Sequence, residues 1–187
     1  MGLLIAGLVM WSLIHLYPSI ASQSRDGLVA RLGNNAYRGL FALLMLAALA
    51  MIVFGWKSAV PSAVYVPPLM GSPLVSVLML VAFVLFVAAQ AKTNIKRVLR
   101  HPQLTGLVLW SVAHLLANGD SRSIALFGGL GVWGLVEIAL INRRDGAWQK
   151  PAAAPFKSDA IVIIISAIAF AVVLYFHAWL FGVSPIV

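Results

Sequence analysis

Long apolar stretches alternate with short polar breaks along the whole chain. A transmembrane helix needs about 20 mostly apolar residues, each adding about 1.5 Å of rise. Six stretches approach that length, and the breaks between them carry charges, prolines or an Asn-Gly pair. The pattern therefore predicts six membrane-spanning helices over Gly2–Ala21, Gly39–Trp56, Ser72–Ala91, Pro102–Asn118, Ile124–Ile141 and Ala160–Phe181.

The polar breaks differ in character. The stretch Ser22–Arg38 is long enough for an amphipathic helix on the membrane surface, because Leu28, Val29 and Leu32 recur at helical spacing among charges. The stretch Lys57–Gly71 contains three prolines and predicts an extended loop. The fourth span is the shortest and most polar, and the Asn-Gly-Asp sequence that follows it predicts a helix-terminating turn.

The amino-acid composition indicates that lipid, and not water, surrounds most of the protein. The 187 residues are 62% hydrophobic and 10% charged, with a mean hydropathy of +0.99. A soluble domain of this length cannot enclose so much apolar side chain, so a soluble enzyme, a fibrous repeat and a disordered chain are excluded. The sequence predicts an all-α, polytopic membrane helical bundle that contacts the lipid bilayer. It leaves open whether further membrane proteins or a second copy are partners.

Charge predicts the orientation of the bundle. The chain carries 13 Lys and Arg residues against five acids, and their scatter between apolar spans is typical of a membrane protein and not of nucleic-acid binding. The loops after spans two and four hold only Lys57 and Arg122. The positive-inside rule therefore places the other three loops in the cytoplasm and both termini outside. Those three loops carry Arg25, Arg31, Arg38, Lys92, Lys96, Arg97, Arg100, Arg143, Arg144, Lys150 and Lys157.

Three of the four histidines fall within predicted spans. An ionisable side chain in lipid is costly, and His15, His114 and His177 are therefore candidate functional residues. The chain has no cysteine, which excludes disulfides, iron–sulfur clusters and thiolate-ligated metals. Imidazole is then the best available ligand for a haem iron, and the histidines point to haem ligation.

Helix geometry narrows the histidine pairs. His101 and His114 are separated by about 20 Å of helical rise, so they cannot hold one iron, and ligation must join two helices. His114 and His177 are nearest in depth, since both lie toward the outer side of their spans. His15 and His114 differ in depth by about 12 Å, which two imidazoles can span through one iron. Both pairings, with His114 common to them, stay open.

Two further features accompany His114. Trp110 lies one turn earlier on the same face, where its indole can pack on a porphyrin or polyene, or simply on a neighbouring helix. Arg100 and His101 form a basic cluster at the inner end of the fourth span, where they can bind the carboxylates of a cofactor or an anionic lipid.

One acid lies within a span. Glu137 precedes the inner end of the fifth span by about one turn, and we expect it to extend toward water or to pair with Arg143 or Arg144.

Several short motifs resemble the NnrU family of membrane proteins, which are linked by name to denitrification and nitric oxide metabolism. The resemblance covers essentially all of residues 1–187 as a single transmembrane domain. It implies a multi-pass protein of the bacterial inner membrane. The motifs are His15-Leu16-x-Pro18-Ser19, Arg31-Leu32-Gly33, Tyr37-Arg38-Gly39-Leu40-Phe41, Tyr65-x-Pro67-Pro68, Arg100-His101-Pro102-x-Leu104-x-Gly106 and His114-Leu115-x-x-Asn118-Gly119-Asp120.

The NnrU family is similar in turn to the 15-cis-zeta-carotene isomerases, membrane proteins that hold haem b through histidines. This similarity implies His15 and His114 as the ligand positions, with redox change at the iron as the basis of activity. Three functions follow as hypotheses: a haem b protein of nitrogen-oxide metabolism, a haem-dependent cis-trans isomerase of a carotenoid-like polyene, and a cofactor-free membrane scaffold or accessory subunit. No catalytic residue is identified by the sequence.

The charge pattern gives a first prediction. A reporter that is active only outside the cytoplasm should work when fused at the C-terminus and fail when inserted beside Lys150. Enzymatic assay of both fusions in intact cells measures this directly. The opposite pattern would overturn the orientation.

Overall fold

A computed structural model describes residues 1–185, and every regular element among them is helical. Within residues 1–185 nine α-helices follow one another, and a π-helical turn at Ile124–Gly128 joins the seventh to the eighth. The helices are α1 (Gly2–Ile20), α2 (Ser22–Leu32), α3 (Asn34–Ser58), α4 (Pro73–Gln90), α5 (Ile95–Val98), α6 (Pro102–Ala117), α7 (Ser121–Ser123), α8 (Gly129–Asp145) and α9 (Phe156–Phe181).

The structure confirms the all-α membrane bundle. In the part of the chain that the structure describes, five helical segments are long and apolar enough to cross a membrane, and α6 is a shorter apolar helix. The predicted starts at Gly39 and Ala160 fall inside α3 and α9, which begin earlier, at Asn34 and Phe156. Hydropathy marks only the part of a helix suited to lipid, so polar first turns outside that part are missed.

The spanning helices pack as a row, in the order α3, α1, α8, α6, α4, α9. The short helix α2 folds back against α1 and α3. Helix α8 therefore lies between α1 and α6, which carry His15 and His114. The order of the row, which the sequence alone does not give, brings these two histidines to either side of one central helix.

The three basic loops meet at one end of the bundle, here called the basic end. Arg144 in the last turn of α8 donates to the Ser19 hydroxyl at the end of α1. Asn94, between α4 and α5, donates to both the Ala154 carbonyl and the Asp159 carboxylate at the start of α9. These contacts support the predicted grouping of the loops on one side of the bundle.

The opposite end is closed by the loop between α3 and α4. The backbone N–H groups of Val64 and Tyr65 donate to the Gly119 carbonyl, and the Tyr65 hydroxyl donates to the carbonyls of Leu115 and Asn118. Desolvation raises the pKa of Tyr65, and the nearby Asp120 carboxylate raises it further. The predicted extended loop and helix-ending turn are thus both present, and they bind each other.

Glycines allow the closest helix contacts. A Cβ atom on Gly55 of α3 would lie 2.3 Å from the Leu4 backbone nitrogen of α1, and one on Gly7 would lie 2.8 Å from the Ile52 nitrogen. Apolar side chains are as favourably solvated by lipid as by other helices, so the hydrophobic effect does not drive helix association in a membrane. Helices associate there through such close backbone packing. The crossing of α1 and α3 depends on these two residues.

A matched pair of glycine variants tests this crossing. Gly55→Ala should destabilise the protein by about 1–3 kcal/mol, because its new methyl group meets backbone that cannot rotate away. Gly39→Ala on the same helix meets nothing within 4 Å and should be neutral or slightly stabilising. Thermal unfolding in detergent measures both, and equal melting temperatures would contradict the close crossing.

Candidate functional site

The same spacing of an indole, an imidazole and a polar side chain occurs on α1 and on α6. Residues four apart lie on one face of a helix, so each set forms a single stripe. The two stripes flank α8 from opposite sides. They are Trp11, His15 and Ser19 on α1, and Trp110, His114 and Asn118 on α6 and at its end.

Both imidazoles are held in the same way. The Nδ1 atom of His15 lies 3.1 Å from the Trp11 carbonyl oxygen, and that of His114 lies 2.9 Å from the Trp110 carbonyl oxygen. A carbonyl only accepts, so Nδ1 is the donor and carries the proton in each ring. Each Nε2 is left with a lone pair. Histidines that bind metals are fixed in this manner, by donating their second nitrogen to a carbonyl or carboxylate.

Contacts with α8 fix the relative directions of α1 and α6. Helices α1 and α8 are parallel, because the residue numbers of contacting pairs rise together along both helices. Leu8 contacts Gly129, and Ser19 donates to Glu137. Helices α6 and α8 are antiparallel, because the numbers of contacting residues rise along one helix and fall along the other. Gly131 lies against Ser111, and Gly134 lies against Val108 and Leu107. Helices α1 and α6 are therefore antiparallel.

The two imidazoles point toward a common level. Each ring turns back toward the carbonyl four residues earlier, that is, toward the N-terminus of its own helix. Helix α1 runs toward the basic end and α6 runs away from it. His15 lies on the basic side of Trp11 and its ring turns away from that end, whereas His114 lies beyond Trp110 and its ring turns back toward that end.

Aromatic side chains surround His15. Its ring centroid lies 4.6 Å from that of Trp11, 5.0 Å from Trp133 of α8 and 5.7 Å from Phe41 of α3. Trp133 is 8% exposed and meets Trp11 edge-on. The half-buried imidazole thus lies among aromatic side chains of α1, α3 and α8.

His114 has a similar enclosure on the other side of α8. Its ring stacks on Phe127 of the π-helical turn at 4.3 Å and contacts Trp110 at 4.8 Å. Trp110 also meets Phe127 edge-on. Among residues 1–185 no ring contact joins the imidazoles of His15 and His114, and aromatic side chains of α8 and the π-helical turn contact one ring each.

The donor set of this site is two imidazoles on different helices. Within the described residues, no three His, Asp or Glu side chains form a group that can hold a metal. A porphyrin brings four equatorial nitrogens of its own, so it requires only axial ligands from the protein. His15 and His114, each with Nδ1 bonded to a backbone carbonyl, are candidates for such ligands.

His177 is oriented differently. It lies in the last turns of α9, where its Nδ1 atom is 2.7 Å from the Val183 carbonyl oxygen beyond the helix end. It is close enough to His114 to interact with it electrostatically. The Val183 carbonyl holds its ring toward the end of the bundle. The pairing of His114 with His177 stays a prediction beside the pairing of His114 with His15.

Arg100 and His101 do not belong to the histidine site. Arg100 donates to the Gly146 carbonyl at 2.8 Å, and His101 Nε2 lies 2.9 Å from the Asn142 side-chain oxygen. Both line a cavity at the basic end, about 20 Å along α6 from His114. Trp110, in contrast, contacts His114 as its spacing predicts.

A polar cluster beside His15 was not apparent from the sequence. Glu137 is 8% exposed and accepts from the Ser19 hydroxyl at 2.9 Å, whereas Arg144 reaches that hydroxyl and pairs with Asp145. The expected Glu137–Arg144 ion pair is thus replaced by a link through Ser19. The indole nitrogen of Trp133 and Glu137 Oε2 are buried without a partner. The spacing of Ser19 four residues after His15 was the only signal of this contact.

Comparison with known proteins places the chain in a family. No curated protein and no solved structure matches it. The family model described as NnrU protein matches residues 3–185, nearly the whole length. The chain therefore belongs to the NnrU protein family.

Proposed function

We propose that this chain is a haem b protein of the membrane whose axial ligands are His15 of α1 and His114 of α6. The observation that carries the proposal is the shared setting of the two imidazoles. Each donates Nδ1 to the carbonyl four residues earlier and turns its free Nε2 toward the level between them. The two ligands come from two helices, α1 and α6, that both pack against α8.

The surrounding residues define what the chain itself contributes. Trp110 and Phe127 pack on His114, and Trp11 and Trp133 pack on His15, so aromatic side chains contact both rings. The backbone carbonyls hold each imidazole in one tautomer. A bound haem b supplies one-electron redox chemistry and, at an open axial position, binding of small molecules such as nitric oxide.

The role we propose lies in nitrogen-oxide metabolism, as a sensor, an electron carrier or an assembly factor in the bacterial inner membrane. Membership of the NnrU family supports this choice. Two imidazole ligands favour electron transfer or sensing over an enzyme, because both axial positions are then occupied in the resting protein. A haem-dependent isomerase of a polyene and a cofactor-free scaffold are the competing hypotheses that experiment must exclude.

The visible spectrum of the purified protein tests ligation. Protein from haem-replete cells should show, when reduced, the sharp α-band of low-spin haem b with two imidazole ligands. His114→Ala should abolish retention of the haem. His15→Ala should leave a five-coordinate, high-spin spectrum that responds more strongly to carbon monoxide or nitric oxide. His101→Ala on the same helix as His114 is the matched control and should leave the spectrum unchanged.

The remaining variants decide between the hypotheses. If His177→Ala and not His15→Ala produces the high-spin spectrum, the ligand pair is His114 and His177. If the wild-type protein is colourless and takes up no added hemin, ligation is wrong and the scaffold hypothesis replaces it. Conversion of a cis-carotenoid in a host that makes one would favour the isomerase.

A further inference from the structure

A second site lies at the basic end of the bundle, separate from the histidines. A cavity of about 420 Å³ opens between the N-terminal end of α6 and the segment that follows α8. We call it the basic cavity. Its lining includes Lys96, Arg100, His101, Gln103, Leu104 and Trp148.

Positive charge dominates the basic cavity. Lys96 and Arg100 line it, and the Lys150 ammonium group lies 5.3 Å from the centre of the Trp148 ring that forms one wall. Asp145 is within electrostatic range of Arg100 but is bound by Arg144 at 2.7 Å. The cavity therefore attracts an anion.

Hydrogen-bond donors in the cavity are already oriented. One guanidinium nitrogen of Arg100 is fixed by the Gly146 carbonyl, which leaves the other edge of a rigid fork for a ligand. Helix α6 starts at Pro102 with no side-chain cap, so the first-turn amides of Gln103 and Leu104 have no partner within the helix. Both residues line the cavity, where those amides and the helix dipole add to the basic side chains.

The cavity also has an apolar side. Ala89 near the end of α4, Leu104 in the first turn of α6 and the Trp148 ring contribute to the lining. Helices α4 and α6 are apolar, and the cavity lies where their membrane-embedded surfaces meet the basic loops. Tryptophan is typical of that boundary. A ligand with a phosphate group and an apolar tail matches both sides, whereas free phosphate matches only one.

We propose that the basic cavity binds the phosphate group of an anionic phospholipid. Arg100 grips the phosphate oxygens with its fork, Lys96 adds charge, and Trp148 packs on the glycerol and upper acyl region. The site is about 20 Å along α6 from His114, so it is independent of haem ligation. Basic pockets between membrane helices commonly hold lipid headgroups in this way.

Native mass spectrometry of the detergent-purified full chain tests the proposal. The protein is titrated with phosphatidylglycerol or with phosphatidylcholine of the same acyl chains. Phosphatidylglycerol should bind at least five-fold more tightly. Arg100→Ala should weaken that binding about ten-fold and Lys96→Ala about five-fold, because a fork that makes two charged hydrogen bonds contributes more than a point charge. Lys92→Ala, an exposed lysine outside the cavity, should have no effect.

Gln103→Glu tests the same cavity without removing Arg100, so a folding defect in Arg100→Ala does not decide the result. An acid in the first turn of a helix is compatible with folding, but it places negative charge in the cavity and should also weaken binding.

Millimolar inorganic phosphate should fail to displace the lipid. Displacement by phosphate would show a free-phosphate site and overturn the proposal. So would equal binding of the two lipids, or equal effects at Lys92 and Arg100. The haem spectrum should be unchanged in Arg100→Ala, which separates this proposal from the proposed function.

Discussion

Helix association in this protein depends on how closely one backbone can approach another. In lipid, apolar side chains gain nothing by leaving the solvent, so contact between helices must come from dense packing and from polar bonds. Gly55 and Gly7 bring α1 onto α3, and Gly131 lets α8 pass against Ser111 of α6. Helix α8 presents a glycine to α6, so these two helices pack closely. Toward α1 it carries the buried side chains of Trp133, which contacts His15, and of Glu137. The positions of His15 and His114 on the two helices beside α8 follow from this packing.

The two polar ends then fix the row of helices against sliding. At the basic end, Asp159 accepts hydrogen bonds from Thr93 and Asn94, which ties the start of α9 to the end of α4. At the other end, Tyr65 binds carbonyls that α6 leaves free at its C-terminus. Buried backbone groups need partners, so these loops satisfy the helix termini as well as connecting them. The middle of the bundle, where the histidines lie, is left to aromatic packing.

Sequence patterns predicted the class and the spans because both follow from hydrophobicity over about 20 residues. They also identified His114 with Trp110, since residues four apart on a helix are neighbours whatever the fold. The order of helices in the row could not be predicted, because every apolar face suits lipid equally. For the same reason the sequence predicts Arg143 or Arg144 as the partner of Glu137, whereas the structure gives Ser19. The sequence predicts Arg100 and His101 as a basic cluster at the inner end of the fourth span, and the structure shows that both line a cavity there.

The π-helical turn at Ile124–Gly128 sets the rotational phase of the central helix. It lies between the capping bonds of Asp120, which anchor the chain at its start, and the long face of α8. A π turn holds one residue more than an α turn, and one residue in an α-helix corresponds to about 100° of rotation. Loss of a single residue here would convert the π turn into an α turn and leave Trp133 and Glu137 facing α1, whereas the same loss within α8 would rotate the residues beyond it by about 100°. The π turn thus accommodates one extra residue and keeps the surroundings of His15 in register with the anchor at Asp120.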